Sequence, residues 1–256
     1  RRFFKVNVFS EPVDHILVRG GCCSLRSAQT FLKNNNVCVN GFRVLLRAVY
    51  ADSERDDITV NGIPLPKTSH LYLYMNKPKG VVCTRQPGRH KLIYDILPSE
   101  IRAHLLFAHL HTAGRLDADT TGLIILTTNG RFSNALASPD SHISKTYNAV
   151  LSNDIPQAAQ NEYIRCFAGG ITLPPEKKSP GFTAKPASLS FSGRRCCTLT
   201  VTEGKFHQVR RMFAACGNPV EQLCRVAVGS FSLPPDLPEG ECRAFSQEEL
   251  RLFSDF

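Results

Sequence analysis

Alternating and continuous apolar runs divide the chain of 256 residues into strand and helix signals. Leu71-Tyr72-Leu73-Tyr74-Met75 predicts a strand, and Val81-Val82-Cys83 resumes extended structure after a loop over 76–80. Leu123-Ile124-Ile125-Leu126-Thr127 is apolar almost throughout, the pattern of a strand buried on both faces. Residues 145–150 alternate, as a strand with one buried face does. Residues 197–201 and a strand pair around 220–233 complete the extended signals, and 105–111 is a further apolar stretch. Helical spacing marks 24–32, with apolar positions 25, 28, 31 and 32 behind a serine cap. It also marks 131–138, 156–167 and 207–216. Asn34-Asn35-Asn36 ends the first helix, because asparagine tolerates a left-handed cap. Val37-Cys38-Val39-Asn40-Gly41 and Asp57-Ile58-Thr59-Val60-Asn61-Gly62 each read as a strand and a tight turn. Pro64 and Pro66 mark a linker, which sets a small module over 1–66 and a larger domain over 67–256. Strands and helices intersperse without regular βαβ alternation, so the fold class is α+β, with a mainly antiparallel mixed sheet flanked by helices.

Composition supports this division. Apolar residues make up 42% and charged residues 21%, which excludes a wholly disordered chain. No apolar run approaches the roughly 18–20 residues of a membrane span. The net charge of +9 is uneven: +3 over 1–66, +4 over 67–140, +6 over 141–211 and −4 over 212–256. The middle of the chain is therefore expected to face a polyanion and the C-terminal segment to face away. Cys22-Cys23 and Cys196-Cys197 are vicinal, and no CxxC pair is present. Most of the ten cysteines read as small buried residues in a reducing compartment rather than as a disulfide framework. His109 and His111 are two apart, but an isolated HxH pair is more often structural than a metal site.

Four stretches carry candidate chemistry. Asp117 lies in the loop Gly114-Arg115-Leu116-Asp117, just before the apolar strand, where it is either a nucleophile or a turn cap. Lys77-Pro78-Lys79-Gly80 offers two cations on a stiffened loop, for phosphate contact or for solvent. His207, Arg210 and Arg211 sit at the start of a helix, where dipole and side chains both favour an anion. Lys145 and Tyr147 share one strand face, so Tyr147 either stacks on a base or belongs to the core.

Together these stretches resemble the pseudouridine synthases that act on ribosomal RNA. The resemblance runs through Asn-Lys-Pro-Lys-Gly (76–80), Gly-Arg-Leu-Asp-Ala-Asp-Thr-Thr-Gly-Leu (114–123), Lys-Thr-Tyr (145–147) and Glu-Gly-Lys-Phe-His-Gln-Val-Arg-Arg-Met-Phe (203–213). It continues to Arg225 and Gly229 in the family's order. Leu110-His111, Thr120-Thr121, His207-Gln208-Val209 and Lys185-Pro186-Ala187 are closest to the small-subunit, RsuA-like branch. Residues 24–32 and 37–41 resemble an S4 RNA-binding domain, although 1–20 lack the usual start of its helix and Asn36 replaces a common glycine.

The resemblance implies a catalytic set of Asp117, Tyr147 and Arg210. Asp117 would attack the target uridine at sugar C1′ or base C6. Tyr147 would pack on the base and assist the late proton loss from C5, and Arg210 would pair with the nucleophile. Arg115 would contact RNA where the base is flipped out. Lys77, Lys79, Lys145, His207 and Arg211, with Arg26 and Lys33 of the S4-like module, are the further RNA-binding candidates. The reaction implied is an isomerisation without metal or cofactor. The implied partner is ribosomal RNA, in a small-subunit assembly intermediate, for a monomeric enzyme with no membrane role. Ten cysteines and a chain starting at Arg1 point to a mitochondrial or plastid copy if the source is eukaryotic, and to the cytoplasm if it is bacterial. Two other readings stay open at this point. One is a catalytically silent RNA-binding assembly factor; the other is a hydrolase using Asp117 with Asp119.

Overall fold

The structure is a computed structural model that describes residues 8–67, 70–176 and 180–254; residues 1–7 of the expected first module lie outside them. That module holds helices α1 (Val13–Arg19) and α2 (Ala28–Asn34) against a four-stranded antiparallel sheet. Its strands β1 (Val37–Val39), β2 (Phe42–Arg43), β3 (Ile58–Val60) and β4 (Ile63–Pro64) run in the order β2-β1-β3-β4. Both hairpins turn on Asn-Gly pairs in which both residues are left-handed: Asn40 and Gly41 at φ 51 and 80°, Asn61 and Gly62 at 52 and 80°. This is the backbone that a two-residue hairpin needs and that asparagine and glycine supply.

Three local expectations change. Helix α1 is present where the sequence showed no start; Val13, Ile16 and Leu17 of it are wholly buried with Leu32, Val37 and Val39. The helix expected from residue 24 begins at Ala28, because Ser24 and Ser27 bond each other in a turn instead of capping it. Asn35 ends α2 in an extended conformation, φ −121°, and its side-chain amide donates to the Phe31 carbonyl.

The larger unit is built on a nine-stranded sheet. Its main path comprises β5 (Tyr72–Lys77), β6 (Thr120–Thr127), β7 (Lys145–Leu151), β8 (Ser188–Phe191), β9 (Cys196–Val201), β10 (Val220–Val228) and β11 (Cys242–Ala244). The order is β8-β9-β7-β10-β6-β5-β11, and every neighbouring pair is antiparallel except β6 with β10. Helices α3 (Gly130–Ala137), α4 (Gln157–Gly169), α5 (Gln208–Ala215) and α6 (Gln247–Arg251) flank it. The expected α+β class with a mixed, mostly antiparallel sheet is the one observed.

Side-chain period explains the layering. On β5 and β6, Leu73, Met75, Ile124 and Leu126 join one core with Phe167 of α4 and Met212 and Phe213 of α5. The intervening Tyr72, Tyr74, Leu123 and Ile125 join a second core with Phe132 of α3 and Leu250 of α6. These two strands are covered on both faces, hence the unbroken apolar run in β6. On β7 only Tyr147, Ala149 and Leu151 are buried in this way, while Asn148 is exposed, so that strand alternates.

The two units share a joint. Phe9 leaves the module and stacks on Phe132, with centroids 5.4 Å apart, and meets Tyr72 edge-on. Arg19 forks onto both carboxylate oxygens of Glu11. His70 places one ring nitrogen 2.9 Å from Glu11 and the other 3.0 Å from Thr128 Oγ1. Burial alone would raise the Glu11 carboxyl, but the bonds from Arg19 and His70 outweigh it and hold it at about 2.

A depressed carboxyl stabilises the fold above its unfolded value, and that contribution is lost as pH falls from about 4.5 towards 2. Thermal melts over that window are expected to show Glu11→Gln less stable than wild type near neutrality. The variant should also lose less Tm on acidification. Parallel acid limbs for the two proteins would rule the network out as a source of stability.

Candidate active site

The loop 114–119 enters β6 at Thr120, and its position is fixed from below by β10. The two strands pair in parallel only over Thr120–Leu223, Thr121–Cys224 and Gly122–Arg225. Gly122 has φ +95°, and a Cβ there would lie 2.3 Å from the Arg225 carbonyl oxygen. Only glycine allows this approach. From the side, the buried ammonium of Lys77 donates to the carbonyls of Pro78 (2.9 Å) and Val81 (2.7 Å) and curls that loop. The loop's Gly80 amide then donates to the Ala118 carbonyl at 2.6 Å. Thr120 N–H closes on the Asp117 carbonyl at 3.1 Å. The backbone of Asp117 is thus held between the loop after β5 and the start of β6.

Asp117 opens on a cavity of about 610 Å³ between this loop, β7 and the start of α5. Three carboxylates line it, and they are not equivalent. Asp119 is paired with Arg210, Oδ2 to guanidinium 2.9 Å, and Arg210 also donates to the Val220 carbonyl at 2.9 Å. Glu203 is buried and accepts from the Lys185 amide (2.8 Å) and from Gln208 Nε2 (2.7 Å). Asp117 faces His207, 3.5 Å from Oδ1 to Nε2, and makes no ion pair with a lysine or arginine among the described residues.

His207 precedes α5 in a left-handed conformation, φ 50°, which turns its ring back across the mouth. The ring stacks on Phe206, with centroids 3.7 Å apart, and its Nδ1 lies 3.6 Å from Glu176.

The predicted site residues divide into three groups. Tyr147 lies on the cavity wall, paired in register with Arg225. Arg115, Lys79, Arg26 and Lys33 are exposed. Lys79, however, opens on a second groove with Asn148 and Thr198, behind the Asp117 cavity. Lys77, Arg211, Lys145 and Arg210 need correction. Lys77 has no exposed surface and serves the loop described above, so it is not a phosphate contact. Arg211 is buried, donates to the Pro174 carbonyl at 2.6 Å and faces Glu176 at 3.7 Å, so it braces the fold. Lys145 is 5% exposed, which takes it off the outer surface and leaves it in the cavity wall. Burial, then repulsion from Arg225, pushes its ammonium down to about 8. Arg210 holds Asp119 rather than Asp117, and the side chain at Asp117 is His207. The sequence pointed to His207 as an RNA contact only; its left-handed turn has no signal in residue type.

The Asp117–Asp119 hydrolase reading loses its second carboxylate to Arg210. His111 is a structural histidine, with its ring nitrogens 2.9 Å from the His109 carbonyl and 2.8 Å from Ser133 Oγ. No group of three or more metal-ligating side chains occurs among the described residues. All ten cysteines are free thiols.

Residues 71–215 match the RNA pseudouridylate synthase family. The chain is 37% identical over 243 residues to the ribosomal small subunit pseudouridine synthase A of Pasteurella multocida, covering 94% of this chain and 99% of that protein. It is 34% identical to the enzyme of the same name from Escherichia coli K12, covering 86% and 89%. A crystal structure of a pseudouridylate synthase superposes with a TM-score of 0.64 at 33% identity, over 94% of this chain and 99% of the other. The chain therefore belongs to the RNA pseudouridine synthases, in their RsuA-like branch, and is an isomerase that converts uridine to pseudouridine.

Proposed function

We propose that the protein isomerises one uridine of small-subunit ribosomal RNA, with Asp117 as the nucleophile. One observation carries the assignment of the nucleophile: of the three carboxylates on the cavity wall, Asp119 and Glu203 are occupied by strong donors. Asp117 alone faces the open space, and among the described residues its side chain is paired only with a histidine at 3.5 Å. A carboxylate without short donors keeps its lone pairs available for attack. The ribosomal substrate rests on the names of the relatives.

In this reading a uridine flips out of the RNA, its base lies on Tyr147, and exposed Arg115 holds the strand it left. Asp117 attacks and bonds the nucleoside, the sugar–base bond breaks, the uracil turns, a C–C bond forms at C5, and the bond to Asp117 breaks to release the carboxylate. The C5 proton is lost and N1 gains one. The exposed cations Arg26 and Lys33 of the S4-like module meet phosphates beside the target. The substrate would be an assembling small-subunit particle, and the enzyme would act as a monomer.

Mapping of carbodiimide-resistant uridine adducts in small-subunit rRNA tests the assignment. Wild-type protein should add one site. Asp117→Asn should add none while its RNA affinity stays within about threefold, because a neutral isostere removes the nucleophile and little else. Turnover by the variant, with back-deamidation excluded, would end the proposal.

Arg210 acts here through Asp119, as a positioning residue. Arg210→Ala and Asp119→Ala are each expected to slow single turnover by about tenfold to a hundredfold. The double variant should be no slower than the worse single, which gives a coupling of about 1–3 kcal/mol. Additive losses would mean that Arg210 meets Asp117 or the RNA directly.

The third test concerns the module. Replacing Arg26 and Lys33 together by alanine should lower the slope of log affinity against log salt by about 1.5 and leave the bound-state rate unchanged. An unchanged slope would exclude them as phosphate contacts.

A further inference from the structure

The molecule contains two deeply buried lysines near the cavity, and they are treated differently. Lys77 has no exposed surface and donates to two carbonyls. Lys145 is 5% exposed, and its ammonium has no hydrogen-bond partner among the described residues. The guanidinium of Arg225, of like sign, acts against its charge. A buried cation without an acceptor is costly and persists in native folds only where something else requires it. Lys145 lies on the wall of the Asp117 cavity, on the same face of β7 as Tyr147 and two residues away. The acceptor that this ammonium lacks is therefore one that arrives with the substrate.

We infer that Lys145 is a catalytic residue whose ammonium takes up the negative charge that passes from Asp117 to the uracil during the reaction. The inference rests on the proposed role of Asp117 and adds to it the group that stabilises the departing base. Charge accounting supports it. If the carboxylate attacks C1′, an O–C1′ bond forms and the C1′–N1 bond breaks. The electron pair stays on N1 and spreads to the two uracil carbonyl oxygens. If it attacks C6, an O–C6 bond forms and the C5–C6 π pair moves through C5 onto the C4 oxygen. Either way one negative charge leaves Asp117 and appears on a carbonyl oxygen of the base, with no proton, oxidant or metal added. A base lying on Tyr147 would have Lys145 as its neighbour on the same face of β7. Four rotatable side-chain bonds let the ammonium turn into the cavity to donate to it. A phosphate is the less suitable partner: the nitrogen lies inside the wall, whereas the exposed Arg115 stands at the mouth. A donor aimed at developing charge in a dry pocket contributes to the rate far more than to ground-state binding.

The test uses the full chain, an rRNA in which wild type makes pseudouridine, and the variants Lys145→Met and Lys145→Arg. Three quantities are read: RNA affinity, single-turnover rate with enzyme in excess, and Tm. Lys145→Met is expected to slow single turnover by about a hundredfold or more. Its affinity for RNA should stay within about threefold. Its Tm should hold or rise, because an isosteric apolar side chain relieves the buried charge and the repulsion from Arg225. Lys145→Arg keeps the charge and should retain about tenfold more rate than the methionine variant. Weakened RNA affinity with an unchanged bound-state rate would make Lys145 a phosphate contact and overturn the inference. A lowered Tm, or failure of the methionine variant to fold, would make it a structural cation and overturn it equally. A wild-type rate in Lys145→Met would do the same while leaving Asp117 in place. If wild type modified no rRNA, the underlying reading would fall first and this inference with it.

Discussion

The backbone of Gly122 lies so close to that of Arg225 that no side chain fits between them. This contact joins two stretches more than a hundred residues apart, and the site is assembled outward from it. Because β6 and β10 pair in parallel for only three residues, Thr120 is locked beside Leu223 just where the loop carrying Asp117 ends. On its other edge β10 pairs with β7, which sets Tyr147 directly across from Arg225. Asp117 and Tyr147, the proposed nucleophile and base platform, are therefore placed by one run of backbone hydrogen bonds rather than by side-chain contacts. Main-chain pairing of this kind holds a geometry that flexible side chains do not.

The electrostatics follow from where this framework puts its cations. A net charge of +9 suggests a basic surface, yet Lys77, Lys145, Arg211 and Arg225 are all buried. Three of them are bonded to main-chain carbonyls and hold loops or strand ends. The cavity is consequently rich in positive charge within its walls and carries one loosely held carboxylate. That polarity suits a reaction that moves a negative charge from protein to base and back without adding any. The surface cations free to meet phosphate are fewer than composition implies, and Arg115, Arg26 and Lys33 are among them.

Period and turn chemistry made much of the fold legible. The unbroken apolar run of β6 and the alternation of β7 report two covered faces and one, as observed. Both Asn-Gly hairpins could be read because their left-handed backbone excludes most other residues. Helix α1 was not legible: at seven residues, behind Pro12 and without a side-chain cap, it owes its existence to the packing of Ile16 and Leu17. The roles of buried cations were not legible either. A lysine beside a proline and a glycine looks solvated until the fold closes two carbonyls around it, as at Lys77. The exchange of partners between His207 and Arg210 has the same origin. They are three residues apart, and which of them reaches Asp117 depends on the left-handed turn that starts α5.

Strand β6 also carries the positioning to the other end of the molecule. Its first residue follows the Asp117 loop, and the residue after its last, Thr128, bonds His70 at the joint with the module. His70 in turn meets Glu11, which Arg19 of α1 holds. Eight residues of strand span about 25 Å. The module is thus tied through Glu11, His70 and Thr128 to one end of the strand whose other end presents the proposed nucleophile. Phe9, seated between Tyr72 and Phe132, adds apolar contact to the same joint. If the module binds RNA as proposed, a joint of this kind does more than a flexible tether would: phosphates held on the module would meet the cavity at one distance and one angle, the constraint that selection of one uridine would need.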